Sequence, residues 1–122
     1  MITWPAGWAQ AFAAALFVAG LAATAPAVRA PLAPAPVAGP CGQWYATASS
    51  VGWADEQWPT VARIMACESG CDPGAHNRSG ASGLLQIMPG WWAGRDPYDP
   101  TTNLTMGLEV FRAQGWHAWS CH

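Results

Sequence analysis

Lysine is absent from this 122-residue chain, and five arginines stand against seven acidic residues. Without clustered basic side chains there is no stripe of the kind a phosphate backbone requires, so nucleic acid is excluded as an expected partner. Strand signals are nearly absent too. Only Leu84 to Met88 has a suitable composition, and that short run is ambiguous between a strand and a tight helical turn. The expected fold class is therefore mainly α. No internal repeat is visible, and no apolar run reaches the ~20 residues that a comfortable membrane span needs. The longest, Ala9 to Ala23, stops at about fifteen. Histidine is scarce, and His76 and His117 lack a spacing that would pair them as metal ligands. No cofactor is implied.

What is present divides the chain in three. The run from Ala9 to Ala23 has the length of a secretory h-region, and Ala25 and Ala27 form an A-x-A cleavage pattern with Val28 as the first mature residue. Export is expected, although no Lys or Arg precedes the run and Arg29 lies beyond it. The competing reading of residues 1–27 is an uncleaved anchor, with membrane attachment through residues 9–23. Pro26, Pro31, Pro34, Pro36 and Pro40, spaced by Ala, Val and Leu, cannot continue a helix, so residues 28–40 read as a semi-rigid polyproline-like tether. Mixed globular sequence starts at Cys41, which makes 41–122 the folded domain.

A core of roughly 80 residues is marginal without staples. Four cysteines, Cys41, Cys67, Cys71 and Cys121, suit two disulfides in an oxidising compartment, with three pairings open on count alone. The alternative is a Cys3His zinc site that adds His122. Nine tryptophans exceed what one small core needs, and flat rings suit the C–H faces of sugars, though packing is the ordinary role of a large aromatic.

Helix punctuation is clear in two places. Pro59 opens a helix that runs to about Ser69 and ends at Gly70. Asp99 caps another, with Pro100 in its first turn, Leu104, Leu108 and Phe111 as the apolar stripe, and Gly115 as the stop. A shorter helix is expected from Trp44 to Val51. On the first helix Val61, Ile64, Met65 and Glu68 fall at i, i+3, i+4 and i+7, so one carboxylate shares the stripe that faces the interior. Such a carboxyl resists ionising, and one that keeps its proton can give it to a leaving oxygen. Glu68 thus reads as a general acid of glycosidase type.

The residues at this point carry a family resemblance. Glu68-Ser69-Gly70, the run Gly80-Ala81-Ser82-Gly83-Leu84-Leu85-Gln86-Ile87-Met88-Pro89, Asp99-Pro100, and Asn103-Leu104 with Gly107 resemble, in order and spacing, the soluble lytic transglycosylase domain. The ending from Gly115 to Cys121 is similar to the resuscitation-promoting factors, a related lysozyme-like group. The A-Y-N-A-G segment found in many lytic transglycosylases is missing.

This resemblance implies a small, mainly helical lysozyme-like domain, stapled by two disulfides, that cleaves the β-1,4 bond between N-acetylmuramic acid and N-acetylglucosamine in peptidoglycan glycan strands. Glu68 matches the catalytic acid. Gln86 is implied to bind acetamido or hydroxyl groups of the substrate, Ser69 and Ser82 to orient Glu68 or touch sugar, Asn103 to reach the site or cap its helix, and Trp91 rather than Trp92 to stack on a sugar ring. By the same carry-over Cys67 pairs with Cys121 and Cys41 with Cys71. A monomer is expected. The rivals are a hydrolytic muramidase on the same fold, which would want a second carboxylate roughly 5–9.5 Å from the first, and a non-catalytic wall-binding module. Asp72 and Asp99 precede prolines as turn and cap residues, which leaves Asp96 the least constrained candidate for a second carboxylate.

Overall fold

A computed structural model describes residues 37–122. The apolar leader, and all of the proline-rich tether before Val37, lie outside the described residues. Three α-helices carry the domain: α1 (Tyr45–Val51), α2 (Trp58–Ser69) and α3 (Pro100–Gln114). Short 3₁₀ turns at Gly42–Trp44, Pro89–Trp91 and Gly115–Ala118 join or end them. Among the described residues there is no strand, only isolated bridges pairing His76 with Ser82 and Ser82 with Ile87. None of their helices is long and apolar enough to cross a membrane.

The helix boundaries follow local chemistry. Pro59 sits in the first turn of α2, where its missing N–H costs nothing, and Gly70 closes the helix in the left-handed conformation, its N–H bonding Ala66 O. In α3, Asp99 caps the N-terminus by accepting the Thr102 N–H at 2.8 Å, Pro100 follows, and Gly115 ends the helix with its N–H on Phe111 O. Leu84 to Met88 resolves as neither strand nor helix. It is a tight turn closed by reciprocal bonds between Ser82 and Ile87, at 3.1 and 3.0 Å, with Gln86 at φ 51°.

The core sits where α2, α3 and this turn converge. Val61, Ile64 and Met65 of α2, Leu84, Leu85 and Ile87 of the turn, and Leu104, Met106 and Leu108 of α3 are buried together. Two glycines let the backbones close up. A Cβ on Gly107 would stand 2.3 Å from Leu85 Cδ1, and one on Gly83 would stand 2.1 Å from Pro97 O, so neither position accepts a side chain without displacing the turn. Trp53 and Trp119 are buried and use their indole N–H groups as ties, to Leu104 O at 2.9 Å and Leu85 O at 2.8 Å.

Disulfides join Cys41 to Cys71 and Cys67 to Cys121, so the domain is stapled at its start and at its end. All four sulfurs are thereby engaged, and none is left as a thiolate for zinc.

Candidate active site

Glu68 stands in the last turn of α2. Its three companions on the stripe, Val61, Ile64 and Met65, are fully buried, whereas Glu68 is half-buried, at the edge where the stripe meets solvent. Ser69 beside it bonds back to Met65 O at 2.9 Å, one turn earlier, on a carbonyl that also accepts the Cys71 N–H. Cys67, the residue before Glu68, is covalently tied to Cys121. Two residues earlier in that terminal segment, Trp119 holds the carbonyl of Leu85, next to Gln86. The glutamate's helix and the Gln86 turn are thus held to each other through the last residues of the chain.

The loop after α2 closes the connection from the other side. Ala75 O accepts both the Gly83 N–H at 2.8 Å and Gln86 Nε2 at 3.1 Å, and Gln86 Nε2 also donates to Gly83 O at 2.9 Å. The amide is consequently fixed, with its nitrogen spent internally and Oε1 left as the acceptor. Gln86 lines a cavity of about 90 Å³ together with Trp91 and Trp119. Trp92 instead donates its indole N–H to Ile87 O at 3.0 Å. Of the adjacent pair, then, Trp91 faces the cavity and Trp92 ties down the turn.

Two residues expected to touch sugar are buried in this structure. Asn103 is 0% exposed, and its amide brackets the turn: Oδ1 accepts the Leu85 N–H at 2.8 Å, while Nδ2 donates to Ser82 O at 2.9 Å and Pro97 O at 2.8 Å. Ser82, also 0% exposed, donates to Gly80 O at 2.9 Å and lies 3.0 Å from His76 Nδ1. Neither side chain meets solvent, because each is spent on shaping the loop that carries Gln86. The cap of α3 is Asp99, and the Asn103 amide is engaged with backbone groups of the turn and of Pro97.

The carboxylates separate cleanly by environment. Asp72 accepts the Gly74 N–H, Asp96 the Tyr98 N–H, Asp99 the Thr102 N–H, and Asp55 the Tyr45 hydroxyl. The Thr102 bonds hold the Asp99 carboxyl below its usual range. Glu109 forms a two-pronged pair with Arg95 at 2.8 and 2.9 Å, and that bonding pulls its carboxyl down as well. Glu56 is exposed and accepts no hydrogen bond among the described residues. Among the described residues, Glu68 is the half-buried carboxylate that has no hydrogen-bond or ion-pair partner. No group of His, Cys, Asp and Glu among them is arranged to hold a metal.

The cavity also has walls that the sequence did not announce as functional. Val110 and Gln114 of α3 and Ala118 of the terminal turn line it. Gln114 occupies an ordinary surface position of a helix, with no pattern to mark it. Trp119 had one faint signal, its place in the tryptophan-rich ending.

Residues 53–114 match the family described as Transglycosylase SLT domain. The chain is also similar to proteins named "Probable transglycosylase IsaA" from Staphylococcus aureus strains RF122 and Newman, 41% identical over 64 residues in each case. That stretch is 49% of this chain and 24% of the staphylococcal proteins, so the chain spans about a quarter of the length of these curated relatives. No solved structure matches it. Matched over half its length, in the stretch that builds α2, the Gln86 turn and α3, the chain belongs to the Transglycosylase SLT domain family.

Proposed function

We propose that this protein is a lytic transglycosylase of peptidoglycan, acting outside the cytoplasm and cleaving the β-1,4 bond between N-acetylmuramic acid and N-acetylglucosamine with Glu68 as its single catalytic carboxylate. One observation carries the reading: among the described residues every other side-chain carboxylate is either committed to a local bond or exposed, while Glu68 is half-buried and uncommitted, beside the Cys67–Cys121 bridge. Family membership supports the reaction class, and two disulfides support an oxidising compartment.

In this reaction Glu68 gives its proton to the glycosidic oxygen as the bond to the muramoyl C1 breaks, and the glucosamine side leaves with a new hydroxyl. The muramoyl 6-hydroxyl then attacks C1 and returns its proton to the Glu68 carboxylate. A 1,6-anhydro ring closes, the acid is regenerated, and no water is consumed. Because the nucleophile belongs to the substrate, a second carboxylate is not required. That agrees with the local bonds made by Asp72, Asp96 and Asp99. Gln86 Oε1 accepts a hydrogen bond from the glycan, Trp91 offers a ring face to a sugar, and Ser69, at the helix end, helps hold Glu68 in position.

The test is Glu68→Gln, which keeps shape and removes the proton. Lysis of purified cell walls is expected to fall by at least about 10²-fold, in line with the loss of a general acid, while the variant still pellets with the walls. An unchanged lytic rate would overturn the assignment of Glu68 as the catalytic acid.

A further inference from the structure

The sulfur atoms of the domain differ in what can reach them. Cys41, Cys67, Cys71 and Cys121 are all joined in disulfides, so no thiol among the described residues competes for an oxidant. Met65 and Met106 are 0% exposed in the core, whereas Met88 is 46% exposed. Met1 lies outside the described residues. Within the folded domain, therefore, one polarizable thioether stands open to a dissolved oxidant while two are sealed from it.

The place of Met88 in the fold gives that exposure a consequence. Met88 joins the Gln86 turn to the 3₁₀ turn Pro89–Trp91, and its carbonyl accepts the Trp91 N–H at 3.0 Å. Its side chain lines the same cavity as Gln86 and Trp91. An apolar thioether beside an indole is a surface on which the C–H face of a sugar packs. A sulfoxide replaces it with a polar, chiral S–O group that must shed water before anything apolar covers it. A hydrogen-bond donor is already close by. The Ser79 hydroxyl lies 3.9 Å from Sδ and gives its proton to Asn77 Oδ1 at 2.8 Å, so an oxygen added on that side of the sulfur competes for the same proton.

We propose that Met88 is an oxidation site, at which hydrogen peroxide turns the thioether into a sulfoxide and loosens the hold of the Gln86–Trp91 surface on cell-wall glycan. In this step the peroxide O–O bond breaks, one oxygen bonds to Sδ, and the other leaves as water. Sulfur loses two electrons and the peroxide gains them. The loosened hold rests on the reading of this surface as glycan-binding, whereas the oxidation itself does not.

The experiment treats the disulfide-intact chain carrying Glu68→Gln, so that walls stay whole, with hydrogen peroxide for increasing times. Peptide mapping by mass spectrometry is expected to show one oxygen gained on Met88 at least about tenfold faster than on Met65 or Met106, a difference that vanishes when the chain is unfolded in denaturant. Over the same times the fraction of chain that pellets with purified cell walls should fall about threefold. Met88→Leu removes the thioether, and each chain is compared with its own untreated sample. This variant should keep its pelleting through the treatment. Oxidation of Met65 or Met106 as fast as Met88, unchanged pelleting once Met88 carries its oxygen, or a parallel loss in Met88→Leu overturns the proposal. Should the Glu68→Gln chain still lyse walls, the catalytic reading fails by that result, and the peptide map and the comparison with Met88→Leu still decide the oxidation site.

Discussion

Asn103 is the residue on which the site's shape turns. Its buried amide meets three backbone groups at 2.8–2.9 Å, so removing it strands a donor and two acceptors away from water. Asn103→Ala should therefore cost about 3 kcal/mol. In a domain this small that lowers the thermal midpoint by well over 10 °C, a shift that calorimetry would register. Wall lysis should fall with it even at temperatures where the variant remains folded, because Gln86 loses its fixed position. A midpoint close to that of the parent would mean that the bracket is dispensable. Gly107→Ala probes the same joint from the other side, since the added methyl would press on Leu85. An overpacking loss of about 1–3 kcal/mol is expected in denaturant unfolding. The pattern of residues did not disclose these roles. Asn103 carried a plausible capping role, and only its complete burial shows that it serves residues eighteen to twenty-one positions earlier.

At the scale of elements, α2 and α3 were legible because their ends are marked by residues that can do little else: Pro59 and Pro100 in first turns, Asp99 as a cap, and Gly70 and Gly115 as stops. The turn that carries Gln86 was not legible. Its conformation comes from a left-handed Gln86 backbone, the Ser82–Ile87 pairing and distant Asn103, and no local propensity announces such a combination. The α3 cap also makes an acid-range prediction. Hydrogen bonding from Thr102 lowers the Asp99 carboxyl in the folded state, so its contribution to stability is present above the unfolded value of about 3.9 and is lost as pH falls through the folded one. Glu109, lowered by Arg95, behaves in the same sense, although an ion pair with side chains 35% and 40% exposed contributes under about 1 kcal/mol. Asp99→Asn keeps a capping side chain that does not titrate. Thermal midpoints recorded from pH 6 down to pH 2 should therefore fall less steeply for this variant than for the parent, and parallel curves would remove Asp99 from the acid response.

For the whole molecule, two bridges do what a small core cannot. They close loops of 30 and 54 residues, and each should contribute roughly 3–4 kcal/mol by restricting the unfolded chain. That is a large share of the stability of a domain this size. Adding a phosphine reductant should lower the thermal midpoint sharply and abolish lysis, with the Cys67–Cys121 bridge mattering more for activity because it ties α2 to the segment holding Trp119. The need for two bridges was readable from the cysteine count and the shortness of the chain. Their pairing was not, and came through the family resemblance. The cavity beside Gln86 was hidden for a related reason: its walls come from three separate stretches of sequence, and each looks ordinary alone.

The reaction itself is decided by its products. Peptidoglycan digested with the disulfide-intact chain and analysed by mass spectrometry should release muropeptides ending in 1,6-anhydro-N-acetylmuramic acid, each lighter by one water than the corresponding hydrolysis product, and Glu68→Gln should release none. Reducing muropeptides without anhydro forms would mean that water, not the muramoyl 6-hydroxyl, is the nucleophile, and that Glu68 does not act alone.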